Sequence, residues 1–122
     1  MPSFDVAVLG DPVHVRTTAV QALEARRFRF TWHDEWHALA ERGSKVGNAL
    51  GGAMAQYFAI DLQVMAGHQP GQSIVRFTQG NTGWLGGAIG AVRVKNHYAS
   101  FRDEFTGWFH QQGLLVAVYD HP

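Results

Sequence analysis

The amino-acid sequence predicts an α+β domain in which a curved antiparallel sheet carries a long C-terminal helix across one face. Within residues 81–113, small and apolar side chains recur at helical spacing from Gly87 onward, and Gly113 stands where a glycine ends a helix. Residues 28–32, 36–40 and 58–64 alternate apolar with polar side chains, which is typical of half-buried strands. A helix with an apolar face needs a surface to cover, and such a sheet provides one.

Composition indicates one globular domain over residues 1–122, since 46% of the residues are hydrophobic. Ten acidic and ten basic residues give a net charge of zero, and no basic stripe is present. Nucleic acid is therefore not expected as a partner. Because cysteine is absent, disulfides, thiol nucleophiles and thiolate metal sites are excluded.

No targeting or membrane-spanning segment is recognisable. The N-terminal residues MPSFDVAVLGDP lack a basic region followed by a long apolar run. No apolar run approaches the roughly 20 residues that a membrane-spanning helix requires. We therefore expect a cytoplasmic protein with no membrane span, and no cofactor motif is present.

The first elements are a strand over residues 4–9 and a helix from Pro12 to about Arg27. Asp11 is suited to cap this helix, and proline is favoured at the first helical position. Arg26 and Arg27 suit the negative end of the helix dipole, so they need no ligand to explain them. The predicted buried stripe consists of Val15, Ala19, Ala22 and Leu23.

The first two alternating stretches predict a hairpin. A three-residue loop over residues 33–35 places Trp32 opposite Trp36 on one side of it. Gly43 ends the second arm. The Gly/Ala-rich residues 45–55 that follow are interpreted as a connector.

The second half of the chain adds a strand over residues 58–64, a loop over 67–71 and a strand over 73–78. Residues 114–119 (LLVAVY) can form a last strand after the helix. The order is β-α-β-β-β-β-α with this extra strand. It is similar in outline to helix-grip and TATA-binding-protein-like folds, where a curved antiparallel sheet holds a long C-terminal helix. That resemblance implies an architecture and no particular function.

The length of the C-terminal helix needs an explanation. A straight helix over residues 82–112 spans ~46 Å, whereas a domain of this size has a diameter of roughly 35 Å. We expect a regular helix over residues 91–112, with the glycine-rich residues 83–90 kinked, turned or packed closely. An alternative makes residues 92–95 a short strand and begins the helix at Asn96.

The densest cluster of polar functional groups lies at residues 32–37 (WHDEWH). In an extended chain His33, Glu35 and His37 share one face, as in some metal sites. The helical H-E-x-x-H zinc motif is absent, and an exposed turn between two strands is the favoured interpretation. We predict no metal site and no catalytic residue, because the serines lack the glycines of a nucleophile elbow.

The glycine-rich part of the helix predicts self-association. It carries exposed apolar residues between glycines that let a second backbone approach. Because the net charge is zero, charge repulsion between two copies is weak. The alternative is that residues 45–55 of the same chain cover this patch. The predicted homodimer interface consists of Gly83, Trp84, Leu85, Gly86, Gly87, Ile89 and Gly90.

The aromatic residues favour a non-enzymatic module that binds a small apolar ligand between the sheet and the C-terminal helix. The same rings can instead fill the interior, since core packing is the commoner fate of aromatic residues. The alternative function is a homo-oligomeric scaffold or protein-interaction module, and an enzyme with a dispersed His/Asp/Glu site is the third class. The predicted ligand-binding residues are Trp32, Trp36, Phe58, Phe101 and Phe105.

Overall fold

The computed structural model describes residues 2–43, 58–79 and 87–121, with the side chains of the last range from Tyr98 onward. Within these residues the protein is α+β, with a six-stranded antiparallel sheet and two helices, which confirms the predicted class. The strands are β1 (Ser3–Leu9), β2 (Arg29–Asp34), β3 (His37–Arg42), β4 (Phe58–Ala66), β5 (Gln72–Gln79) and β6 (Leu115–His121). The helices are α1 (Pro12–Glu24) and α2 (Gly87–Gln111).

The strand order is β2-β3-β4-β5-β1-β6, so β1 is inserted between the strands that precede and follow α2. The predicted last strand is present as β6, and its Val118 is opposite Val6 of β1. The described sheet is open, with β2 and β6 at its edges.

The hydrophobic core lies between one face of the sheet and the two helices. Alternation along β1 puts Phe4, Val6 and Val8 on this face, where all three are fully buried. The stripe predicted for α1 is buried as expected. From α2 the core receives Phe101, Phe105 and Phe109, with Tyr98 and Trp108 partly buried beside them.

Helix α1 begins as predicted and ends three residues early. The Asp11 Oδ1 atom accepts a hydrogen bond of 2.9 Å from the His14 N–H, which caps the first turn. The last helical residue is Glu24 instead of about Arg27. Arg27 has a φ of 67°, which cannot continue a right-handed helix, and the N–H of Phe28 turns back to bond α1.

The predicted pairing of the hairpin is wrong. Trp32 is opposite Ala38, and Trp36 lies in the turn. The Asp34 Oδ1 atom accepts a hydrogen bond of 2.8 Å from the Trp36 N–H, which closes the turn one residue later than expected. The register shifts between Trp32 and Asp34 to accommodate the extra residue.

Helix α2 ends at the glycine that the sequence predicts as its stop. Gly113 ends α2 with a φ of 72°, and the Leu114 N–H donates to the Phe109 carbonyl. The alternative strand over residues 92–95 is wrong, because these residues lie within α2. The predicted connector at residues 45–55 lies outside the described residues.

Candidate functional site

An open cleft of about 590 Å³ lies at the turn between β2 and β3. The neighbouring strand β4 closes one side of it, because the Val64 N–H donates a 2.9 Å hydrogen bond to the Trp36 carbonyl. Trp36 and Val64 provide its large apolar side chains, and the remaining side chains are polar. The lining residues are Asp34, Glu35, Trp36, His37, Gln63 and Val64.

Helix α1 holds the hairpin through Arg16. The guanidinium carbon of Arg16 is 4.4 Å from the Trp32 ring centre and 5.9 Å from that of Trp36. On β2, the Phe30 and Trp32 rings are stacked with centres 5.7 Å apart. The Nε atom of Arg16 is buried and has no hydrogen-bond partner among the described residues. The π-electrons of the neighbouring indole rings stabilise the guanidinium in place of such a hydrogen bond. The cleft wall at Trp36 is thus connected to α1 by a cation–π contact.

The five predicted ligand-binding residues fall into two groups. Phe58, Phe101 and Phe105 lie together in the core, where the Phe101 ring centre is 5.7 Å from Phe58 and 5.6 Å from Phe105. These are distances of direct ring packing. Trp32 and Trp36 lie beside Arg16 at the hairpin, and only Trp36 lines the cleft. The ligand site predicted between the sheet and α2 stays a prediction.

The histidines of the hairpin contact each other. The ring centres of His33 and His37 are 5.4 Å apart in an edge-to-face arrangement. Glu35, which lies between them in the sequence, is in the turn. In residues 2–43, 58–79 and 87–121 there is no group of three or more histidine, cysteine, aspartate or glutamate side chains that could hold a metal ion.

A polar cluster that the sequence analysis missed lies on the sheet face opposite the helices. The Asp5 carboxylate accepts two hydrogen bonds from Arg76, of 2.7 and 2.9 Å, and lies 3.1 Å from the His121 Nε2 atom. Burial alone would raise the pKa of Asp5, but the hydrogen bonds and charges of Arg76 and His121 outweigh it and lower that pKa. The signal in the sequence was an acidic residue inside the apolar strand β1.

A second ion pair joins α2 to β6. The Arg102 guanidinium donates hydrogen bonds of 2.7 and 2.6 Å to the two carboxylate oxygens of Asp120. These bonds lower the pKa of Asp120. Burial, together with the negative charge of Asp120, raises the pKa of the nearby Tyr98 to about 12. This cluster attaches α2 to the edge of the sheet.

The predicted dimer interface lies outside the described side chains. Residues 83–86 are not among the described residues, and Gly87, Ile89 and Gly90 belong to the part of α2 whose side chains are not described. Self-association through this segment stays a prediction.

Comparison with models of known protein families gives no match to the chain, and comparison with curated protein sequences gives none. In the part of the chain that the structure describes, no helix is both long and apolar enough to cross a membrane. The evidence for a function therefore comes from the geometry of the cleft and its surroundings.

Proposed function

We propose that the protein is a non-enzymatic module that binds a small, mainly apolar ligand in the cleft at the β2–β3 turn. The observation that carries this proposal is the cleft itself, whose volume of about 590 Å³ is in the range of small-molecule sites. The cleft is lined by Trp36, which is one of the predicted ligand-binding residues. The proposed ligand belongs to the predicted class of small apolar molecules. The ligand lies at the end of the hairpin instead of between the sheet and α2.

The lining supports a ligand with an apolar body and a few hydrogen-bonding groups. The partly exposed Trp36 ring offers apolar contact, because an indole ring contributes more contact area than most side chains. Val64 lies beside it but is buried in the core. Glu35 and Gln63 are exposed at the rim, where they can accept or donate hydrogen bonds. The Asp34 carboxylate and the His37 imidazole add further hydrogen-bonding groups to the lining.

The helix-grip-like outline belongs to the same proposal. What supports it is the packing of α2 on the central part of the sheet, where Phe105 contacts Phe77 of β5 with ring centres 4.6 Å apart. In this arrangement the ring-packed core supports the sheet, and the hairpin forms one of its edges. A rigid support of this kind keeps a binding site preformed.

Titration with a neutral aromatic dye, N-phenyl-1-naphthylamine, and with decanoic acid tests the proposal. Gln63→Trp places a large ring at the cleft, so we expect the dissociation constant of whichever probe binds to rise by roughly tenfold or more. Gln69→Trp is the matched control, because Gln69 is equally exposed but lies in the β4–β5 loop away from the lining. Saturable binding that is unchanged in Gln63→Trp, or no saturable binding of either probe, would overturn the proposal.

A further inference from the structure

The exposed apolar side chains of the described residues concentrate at one edge of the sheet. Three of the five large ones lie on β6 or on its neighbour β1, and residues 113–119 contain no charged side chain. Exposed apolar side chains at one sheet edge are a candidate interaction surface. The five residues, with their exposed fractions, are Leu9 (45%), Val13 (64%), Trp32 (37%), Val116 (44%) and Tyr119 (44%).

The backbone of β6 also offers unpaired groups at this edge. The Leu9 N–H donates to the Leu114 carbonyl at 2.9 Å, so the odd-numbered residues of β1 point their backbone groups towards β6. Their partners Ala117 and Tyr119 point back towards β1. Since direction alternates along a strand, the N–H and C=O of Val118 and Asp120 point away from the sheet. No described strand pairs with that side of β6.

Strand β6 lacks most of the features that usually block edge pairing. Lysine, proline, bulges and inward-pointing charges are common devices. Strand β6 contains neither lysine nor proline, and its one inward-pointing charge, Asp120, is paired with Arg102. Its one irregularity, at Val116, leaves the pairing of residues 117–121 with β1 regular. The other edge strand, β2, carries two charged residues, Arg29 and Asp34, whereas β6 carries one, Asp120, and each strand has one register shift.

We propose that β6 pairs in antiparallel fashion with β6 of a second copy of this chain, across a two-fold axis at Val118. This register puts Ala117 of one copy opposite Tyr119 of the other, so the small side chain leaves room for the ring. Asp120 falls opposite Val116, the residue at the register shift, and its charge is already neutralised by Arg102 at 2.6 Å. No like charges face each other in this register, so β6 can pair with β6 of a second copy without charge repulsion. The product is a continuous sheet through the two-fold axis.

Light scattering over a concentration series, with Val116→Lys as the test variant, examines the pairing. We expect a dimer for the natural chain and a dissociation constant raised by roughly tenfold or more in the variant, because lysine blocks edge pairing. Val13→Lys is the matched control, since it makes the same change at an exposed position on α1 and should leave the dimer unchanged. Circular dichroism identifies any variant that fails to fold, and Tyr119→Lys then replaces it.

Amide hydrogen exchange provides a second measurement. The Val118 and Asp120 amides should exchange more slowly as the protein concentration rises, and this protection should be lost in Val116→Lys. A monomer at every concentration would overturn the proposal. So would a dimer that is indifferent to lysine at both edge positions and dissociates in Gly87→Leu, because the interface would then lie in the glycine-rich segment.

Discussion

The Arg16 guanidinium on α1 lies 4.4 Å from the ring centre of Trp32 on β2, and this contact joins the first helix to an edge strand. This contact supports a strand that has little other support, since β2 lies at the edge of the sheet and pairs with only one described strand, β3. The same guanidinium is 5.9 Å from Trp36, which forms a wall of the cleft. The shape of the cleft thus depends on a residue that does not line it.

Arg16→Met should loosen the hairpin while keeping the apolar stem of the side chain. We expect a loss of about 0.5–2 kcal/mol in the free energy of unfolding, which is the range of cation–π contacts. Urea unfolding measures it, and Arg27→Met, at an exposed position after α1, is the control. Equal effects of the two changes would show that the Arg16–Trp32 contact contributes nothing.

Phe105→Ala should be among the most damaging changes in the core. Phe105 is 1% exposed and packs against Phe77 and Phe109, with ring centres 4.6 and 4.9 Å away. Removing the ring leaves a cavity, so we expect a loss of about 3–5 kcal/mol. Thermal or urea unfolding provides the measurement. A variant as stable as the natural chain would contradict the assigned core.

Asp5→Asn should change how stability depends on pH. The folded-state pKa of Asp5 is lowered by Arg76 and His121, so its contribution is present above the ordinary aspartate pKa, roughly 3.9, and is lost as pH falls through the folded value. At neutral pH we expect the variant to be less stable by about 1–3 kcal/mol. The two stability curves should converge in acid. Parallel stability curves for Asp5→Asn and the natural chain would refute the assignment.

Replacement of Gly67 and of Gly107 by alanine should change the stability of the protein in opposite directions. A Cβ atom at Gly67 would lie 2.6 Å from the carbonyl carbon of Gln72, so Gly67→Ala must displace the β4–β5 loop and should cost about 1–3 kcal/mol. A Cβ atom at Gly107 would meet nothing within 4 Å. Gly107→Ala should therefore stabilise α2 by about 0.5–1 kcal/mol, because alanine favours the helix more than glycine does. Melting temperatures that shift in the same direction would contradict this pair of expectations.

Much of the local structure was predictable because its causes lie within a few residues. The cap at Asp11, the αL glycine at Gly113 and the alternation along β4 each depend on near neighbours in the sequence. The hairpin pairing was predicted two residues out of register, because Trp32 is opposite Ala38 and not Trp36. The preference of Asp34 to bond the Trp36 N–H competed with a symmetrical loop, and the periodicity of the strands could not decide between them.

The sequence by itself therefore determined the class of fold, the order of the elements and the buried stripe of α1. Only the tertiary structure decided which elements became neighbours, since β1 lies between β5 and β6 and brings Asp5 to Arg76 across 71 positions of sequence. The same holds for Arg16 and the tryptophans of the cleft. Periodicity states which face a residue occupies, but a contact between distant segments depends on strand order and packing, which no local pattern encodes.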